Sequence, residues 1–241
     1  MGAFMNVLDE IFSAVAVNMK EQREEDAAAY HDRIMQGDCV KLMQMMPSEC
    51  VDFVLTDPPY LVNYMDRSGR KIANDKSEEW VVPTFREAYR LLKPNSFCAS
   101  FYGWPKLEVF FSAWKQCGFR PIGHFVWAKR YSSRVGYAKS HHECAYLLAK
   151  GRPQRPSNPP PDVLPWQYSG NRLHPTQKPI AALTPLIEAY CKPQGLVLDP
   201  FGGSGSTAIA ARLCNRHFVL CELDAKYYNA AKFRLLQPTE G

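Results

Sequence analysis

A chain of 241 residues carrying a formal net charge of +5 has room for one domain that buries roughly 70% of its unfolded surface, with no need of disulfides or a structural metal. The charge falls well short of a histone-like polycation and suits contact with phosphates on one face only. Eight cysteines stand at scattered positions, with no Cys-x-x-Cys pair and no secretory segment ahead of them. A disulfide framework or a metal cluster is therefore not expected, and the chain reads as cytoplasmic with reduced thiols.

Residues 4–33 have helical spacing, with Phe4, Leu8, Ile11, Phe12 and Val15 on one face before a charged run from Lys20 to Asp26. Asp9 and Glu10 interrupt the apolar run, which is too short to span a bilayer, so no membrane association is expected. Residues 1–36 are set apart as an N-terminal helical segment ahead of a main domain over 37–241. The stretch from Arg33 to Cys39 reads as a short strand ending in Gly37-Asp38, with a helix from Val40 to Met46 behind it. Asp38 is an acid offered at a strand end and equally the N-cap of that helix, two roles that do not exclude one another.

Val51 to Thr56 is a short apolar run with β-branched residues, the pattern of a buried strand, and Pro58-Pro59 must end it. In an open α/β sheet, ligands bind beyond the carboxyl ends of strands, where Asp57, Pro58, Pro59 and Tyr60 would stand. The Asp57 carboxylate and the Pro58 carbonyl are acceptors side by side, a set that suits a substrate NH2 group. Tyr60 adds a flat face on which a planar base could stack, typically for ~1–3 kcal/mol. The plainer alternative is a proline-rich loop whose Asp caps a neighbouring element.

Leu61 to Ser77 is a polar loop holding Arg67, Arg70 and Lys71. Helical spacing returns from Trp80 to Leu92 and stops at Lys93-Pro94-Asn95. Ser96 to Tyr102 is the next strand, and Leu107 to Cys117 the next helix, with Gly118 as its stop. Two further strands, His124 to Trp127 and Cys144 to Leu148, flank a stretch in which Lys129, Arg130, Arg134, Lys139 and His141 mix with Tyr131 and Tyr137. Basic residues interleaved with aromatics suit a nucleic-acid surface, and a solvated hairpin connection is the alternative. His141 to Cys144 does not make a metal cluster, because successive strand residues point to opposite faces.

A basic, proline-rich connector from Lys150 to Pro161 leads to Val163-Leu-Pro-Trp166, to His174-Pro-Thr-Gln-Lys-Pro179 and to a helix from Ile180 to Tyr190. Leu196 to Thr207 then reads as a strand, a glycine-rich turn and the start of a helix reaching about Cys214. His217 to Leu223 is the last strand, and Asp224 caps a helix to about Leu235. Strand, glycine turn, helix and a strand ending in Glu222 make half of a doubly wound α/β unit with a mostly parallel sheet and helices on both faces. Gly202, Gly203 and Gly205 let backbone approach a ligand closely. The turn lacks the lysine of an ATP-binding loop. The acids Asp38, Asp199 and Glu222 favour instead a nucleoside with a positive centre and an amine, as in S-adenosylmethionine.

Together these motifs resemble the β-class DNA amino-methyltransferases, over about Gly37 to Leu235. Thr56-Asp-Pro-Pro-Tyr60 looks like the family's catalytic motif, and Asp199-Pro-Phe-Gly-Gly-Ser-Gly205 looks like its cofactor loop. Gly37-Asp38-Cys39, His174 to Pro179 and Glu222 look like further cofactor-side motifs. The resemblance implies a Rossmann-like methyltransferase fold in circularly permuted motif order, with the catalytic motif first and the cofactor loop last. It implies S-adenosylmethionine held by Asp38, Cys39, Asp57, Lys178, Asp199, Phe201, Gly202, Gly203, Gly205, Ser206, Thr207, Glu222 and Leu223. Asp57 and Pro58 would hold the amine of a flipped base while Tyr60 stacks on it. Loops near 61–79 and 128–173 would contact double-stranded DNA through Arg67, Arg70, Lys71, Lys129, Arg130, Tyr131, Arg134, Lys139 and His141. An acid in the first place of the catalytic motif leans towards adenine N6. Cytosine amino methylation, or a DNA-binding regulator of the same fold without catalysis, are the alternatives. A homodimer is expected, and nothing in the chain bears on a companion restriction endonuclease.

Overall fold

The computed structural model describes residues 15, 17, 18, 21, 22, 25–65, 69, 72–132, 137–167 and 176–237. Among them, eight strands join one sheet: β1 (Arg33–Gln36), β2 (Val51–Thr56), β3 (Leu92–Phe101), β4 (Arg120–Ala128), β5 (His142–Lys150), β6 (Val163–Pro165), β7 (Leu196–Asp199) and β8 (His217–Glu222). Their order is β1-β8-β7-β2-β3-β5-β4-β6. Every pairing is parallel except those that β5 makes with β3 and β4. The apolar runs of β2 and β7 occupy the centre because both of their faces are covered, as parallel strands require.

On one face lie α1 (Cys39–Gln44), α2 (Val81–Leu91) and α3 (Leu107–Gln116), whose Met43, Phe85, Leu91 and Trp114 pack with Val54, Leu198 and Val219. On the other lie α4 (Ile180–Tyr190) and α5 (Ser206–Leu213). There Leu183, Leu186, Ala208 and Ala211 meet Phe53, Leu55, Val197 and Leu220. Leu235 of α6 (Ala225–Leu236) joins this second layer. Alternate residues of β2, β7 and β8 thus feed two cores, and the expected doubly wound, mostly parallel α/β sheet is what the chain forms.

Local differences have identifiable causes. Lys93-Pro94-Asn95 does not separate helix from strand: β3 begins at Leu92, and a step of two on β2 (Val51 to Phe53) matches a step of five on β3 (Leu92 to Phe97). The triplet is a bulge, with Asn95 at φ +56°, which is where a proline without an N–H can be carried inside a strand. Val163–Pro165, not expected as an element, is a short edge strand beside β4. Residues 33–36 pair with β8, so the sheet begins ahead of the boundary drawn at 37. Gly118 ends α3 at φ +98° as expected. All eight cysteines are free thiols, and no helix among the described residues is long and apolar enough to cross a membrane.

The topology gathers chemistry at one edge. Asp38, Asp57, Lys129, Asp199 and Glu222 lie at or just beyond the carboxyl ends of β1, β2, β4, β7 and β8. Because β5 runs the other way, its first residues, including Glu143, reach the same edge.

Candidate active site

The prolines after β2 turn the chain so that Asp57 and Tyr60 face an open cleft of about 1000 Å³, solvent at its mouth included, with Pro58 and Pro59 in its lining. Asp57 is bonded on both oxygens. Lys178 Nζ donates to Oδ2 at 2.6 Å, and the Tyr60 hydroxyl donates to Oδ1 at 2.9 Å. The Lys178 ammonium lies 5.3 Å from the Tyr60 ring centre and 4.9 Å from that of Phe101, so one buried cation is held by a carboxylate and two aromatic faces. Burial pushes the Asp57 carboxyl above the usual carboxylate range against the pull of Lys178. Burial also holds the Tyr60 phenol well above its ordinary value, with the Asp57 and Glu143 carboxylates adding to it.

The glycine turn builds the facing wall. Asp199 is buried and accepts from Phe201 N at 3.0 Å and from Thr207 Oγ1 at 2.6 Å, which ties the end of β7 to the first turn of α5. Burial pushes its carboxyl up to about 7 in spite of these bonds. Glu222 accepts from Gly203 N at 2.7 Å and from Asp224 N at 2.8 Å, so it joins the turn to the cap of α6. Burial raises its carboxyl too. Gly205 sits at φ +81° with Ala231 against it, a backbone role. A side chain at Gly202 would meet Leu220 at 3.0 Å, so the turn is pressed onto β8.

The third wall comes from the loop after β2. Asp75 is buried and accepts from the backbone N–H groups of Leu61 (2.7 Å), Val62 (3.4 Å) and Tyr64. Asn63 N donates to the Asp75 carbonyl, and Trp80 Nε1 to that of Asn74. The clamp holds Leu61 and Asn63 at φ +61° and +54°, conformations that a leucine rarely adopts. It also presents Val62, Tyr64, Ile72 and Asn74 to the cleft, while Trp80 meets the Phe201 ring edge-on at 5.0 Å.

Of the residues expected at the cofactor site, Asp38, Cys39, Asp57, Lys178, Phe201, Gly203, Glu222 and Leu223 line this one cleft. Asp199, Gly202, Ser206 and Thr207 line an adjoining chamber that shares Asp57, Lys178, Phe201 and Gly203 with it. Asp38 also caps α1, accepting from Lys41 N at 3.1 Å, so its two readings coexist.

The profile of the DNA methylase family matches residues 51–233. The chain belongs to the N4/N6 DNA methylase family. Over 203 residues it is 52% identical to YubD of Escherichia coli (strain K12), provisionally named a methylase, across 84% of this chain and 89% of that one. The type II methyltransferase M.BglII of Bacillus subtilis is 24% identical over 247 residues, 83% of this chain and 68% of that protein. Among solved structures, the M1.HpyAVI–SAM complex shares the fold with a TM-score of 0.69 at 23% identity, over 85% of this chain and 99% of that one. The PvuII DNA methyltransferase, titled cytosine-N4-specific, does so with a TM-score of 0.71 at 20% identity, over 86% and 87%.

Membership of this family makes S-adenosylmethionine the cofactor, and the donor set of the methylase fits it. Asp38 and Glu222 offer acceptors in the lining of the cleft, to which the Trp80 and Phe201 rings also belong. Thr56 Oγ1 and Gln177 Oε1 are buried without a hydrogen-bond partner among the described residues, and both residues line the adjoining chamber. An ammonium and a carboxylate, such as the amino-acid end of that cofactor carries, would satisfy such atoms.

The expected DNA contacts divide. Arg130, Tyr131, Lys139 and His141 are exposed, whereas Arg67, Arg70, Lys71 and Arg134 lie outside the described residues. Lys129 departs from expectation, being buried and paired with Glu143, with its ammonium 5.2 Å from the Trp166 ring centre. Its charge is spent inside the methylase and is not offered to a phosphate. Four residues of the site escaped the sequence reading. Asp75 hides in a polar stretch without periodicity, and Trp80 passes for a helix start. Glu143 is an acid opening a strand. Gly103 matters through a neighbour distant in sequence, since a side chain there would come within 2.7 Å of Tyr60 Cβ.

Asp75→Ala strands three loop N–H groups, so thermal or denaturant unfolding should show a loss of about 2–4 kcal/mol, with weaker S-adenosylmethionine binding by calorimetry. Asp199 gives a pH signature. Its folded-state pKa lies above the unfolded value, so its contribution to stability is present below about pH 4 and lost as pH rises through about 7. Asp199→Asn keeps the bond from Phe201 N on its oxygen and lets its NH2 group donate to the Thr207 hydroxyl instead, without the charge. In ligand-free protein it should gain stability over the native chain between pH 4 and 8, measured as the difference in unfolding midpoints.

Proposed function

We propose that this methylase transfers the methyl group of S-adenosylmethionine to the N6 amine of an adenine extruded from double-stranded DNA. The observation that carries the reading is the acceptor corner of Asp57, Pro58 and Tyr60 on the wall of the cofactor cleft, facing the glycine turn. The adenine amine is a poor nucleophile because its lone pair is delocalised into the ring. Asp57 and the Pro58 carbonyl, by accepting its two N–H groups, draw the nitrogen towards tetrahedral geometry and stabilise the positive charge that develops on it. When bound, the cofactor supplies an electrophilic methyl on a sulfonium, and transfer in line needs no covalent enzyme intermediate. Asp57 is the group placed to accept the proton that the methylated nitrogen sheds, and its raised pKa suits that task. Cys39 and Cys221 both line the cleft; burial pushes the first up to about 11 and the second well above its ordinary value, so both stay protonated as bystanders.

Extruding a base costs a few kcal/mol, offset here by contacts from the exposed Arg130, Lys139 and His141. Recognition loops this short favour a brief target sequence read by two copies of the chain on a two-fold site. Adenine is preferred because Asp57 opens the catalytic motif, where the family's cytosine enzymes more often carry serine. The shared fold of the cytosine-N4-specific PvuII enzyme supports cytosine as the second reading.

Asp57→Ala leaves the buried Lys178 ammonium without its carboxylate and should lower the unfolding midpoint; at a temperature where it remains folded by circular dichroism it should lose at least about 100-fold in methyl transfer to DNA, and digestion of the wild-type product to nucleosides names the base. Near-normal turnover by that variant sinks the mechanism. Arg130→Ala should weaken DNA binding evenly across sequences and flatten the dependence of log K on log salt by about one unit; an unchanged slope moves the DNA to another surface.

A further inference from the structure

The Tyr60 hydroxyl stands between two carboxylates, 2.9 Å from Asp57 Oδ1 and 3.5 Å from Glu143 Oε2, while Lys178 Nζ donates to it at 3.2 Å. A phenol has one hydrogen to give. Here it goes to Asp57, and Glu143 waits at long range. With Lys178 on its other oxygen, Asp57 is engaged on both sides before any substrate arrives. An incoming amine that takes the lone pair of Oδ1 to which Tyr60 now donates displaces the phenol hydrogen, and that hydrogen left unpaired in a buried site would cost more than the new bond returns.

We propose that Glu143 is a positioning residue that receives the Tyr60 hydrogen bond when the target amine takes Asp57 Oδ1, an inference that rests on the methyl-transfer reading above. Rotation about the phenolic C–O bond and a closure of a few tenths of an ångström accomplish the exchange, with no covalent change. The fold holds the parts ready. Glu143 pairs with Trp127 in the β4–β5 ladder, and Lys129, enclosed with Trp166 and Tyr131, takes its other oxygen. Phe101 pairs with Ala145 across β3 and β5, so Gly103 lies level with Glu143. The side chain that Gly103 lacks leaves the space Tyr60 fills. Lys129 also sits at the root of the basic stretch 129–141, so the carboxylate that frees Asp57 is anchored where DNA would be gripped.

The test is a double-mutant cycle. Glu143→Gln keeps the shape and a carbonyl oxygen for Lys129, yet turns an NH2 group, which cannot accept, towards Tyr60. It should lower kcat for methyl transfer roughly tenfold while affinities for S-adenosylmethionine and DNA stay within about twofold. Tyr60→Phe has no hydrogen to rehouse. On that background, itself slower, Glu143→Gln should change kcat by less than about twofold. Equal losses on both backgrounds, or none on either, overturn the inference. Should Glu143→Gln unfold, Glu143→Asp preserves the charge opposite Lys129, withdraws the acceptor from Tyr60, and must show the same dependence on background. Wild-type protein inactive on DNA would refute the methyl-transfer reading and this inference with it, whereas an active wild type with additive variants refutes the role of Glu143 alone.

Discussion

The ion pair of Asp57 and Lys178 is the contact on which the site depends. It joins residues 121 positions apart, one at the end of the central strand β2 and the other just before α4. Taking two charges out of water is costly, and such a pair returns the cost only where further hydrogen bonds and polarisable neighbours complete its surroundings. Tyr60 and the faces of two aromatic rings do so here. The pair also fixes the orientation of the Asp57 carboxylate, so its acceptor atoms face the cleft at defined angles. A surface Asp would sample several rotamers and present no such geometry.

A second theme is the use of carboxylates as clamps on backbone. Asp75 gathers the loop after β2, Asp199 closes the glycine turn, and Glu222 links that turn to the cap of α6. Buried acids accepting N–H groups can hold irregular chain without a regular ladder, which is what a ligand wall at a sheet edge requires. Each oxygen keeps a second lone pair, so a clamp can also meet a ligand. Asp38 and Glu222 are placed for both duties, one capping α1 and the other bridging the turn, each beside the cleft.

The same physics separates the basic residues by task. Lysines within the fold, Lys129 and Lys178, are paired with carboxylates and enclosed by aromatic rings, and their charge organises the interior. Arg130 and Lys139 remain in solvent, where long-range attraction to phosphates operates and salt screens it. Adjacent positions 129 and 130 thus fall on opposite sides of this division, because the chain leaving β4 points one side chain inward and the next outward.

The sequence by itself determined the fold class and the two poles of the site. Apolar runs ended by Asp57-Pro-Pro and by the glycine turn can form little other than strand ends, and their local chemistry does not depend on distant partners. Asp38 and Asp224 were legible as caps for the same reason. The tertiary structure alone decided which charges meet. Lys129 read as a phosphate contact until β4 and β5 placed it against Glu143. Asp75 had no pattern to announce it, because its partners are backbone N–H groups made available by the loop it closes. Gly103 acquired meaning only when β3 brought it against Tyr60. Periodicity and turn chemistry are local and survive in one dimension. Ion pairs, clamps and close approaches join residues remote in sequence, and the packing of the sheet fixes them.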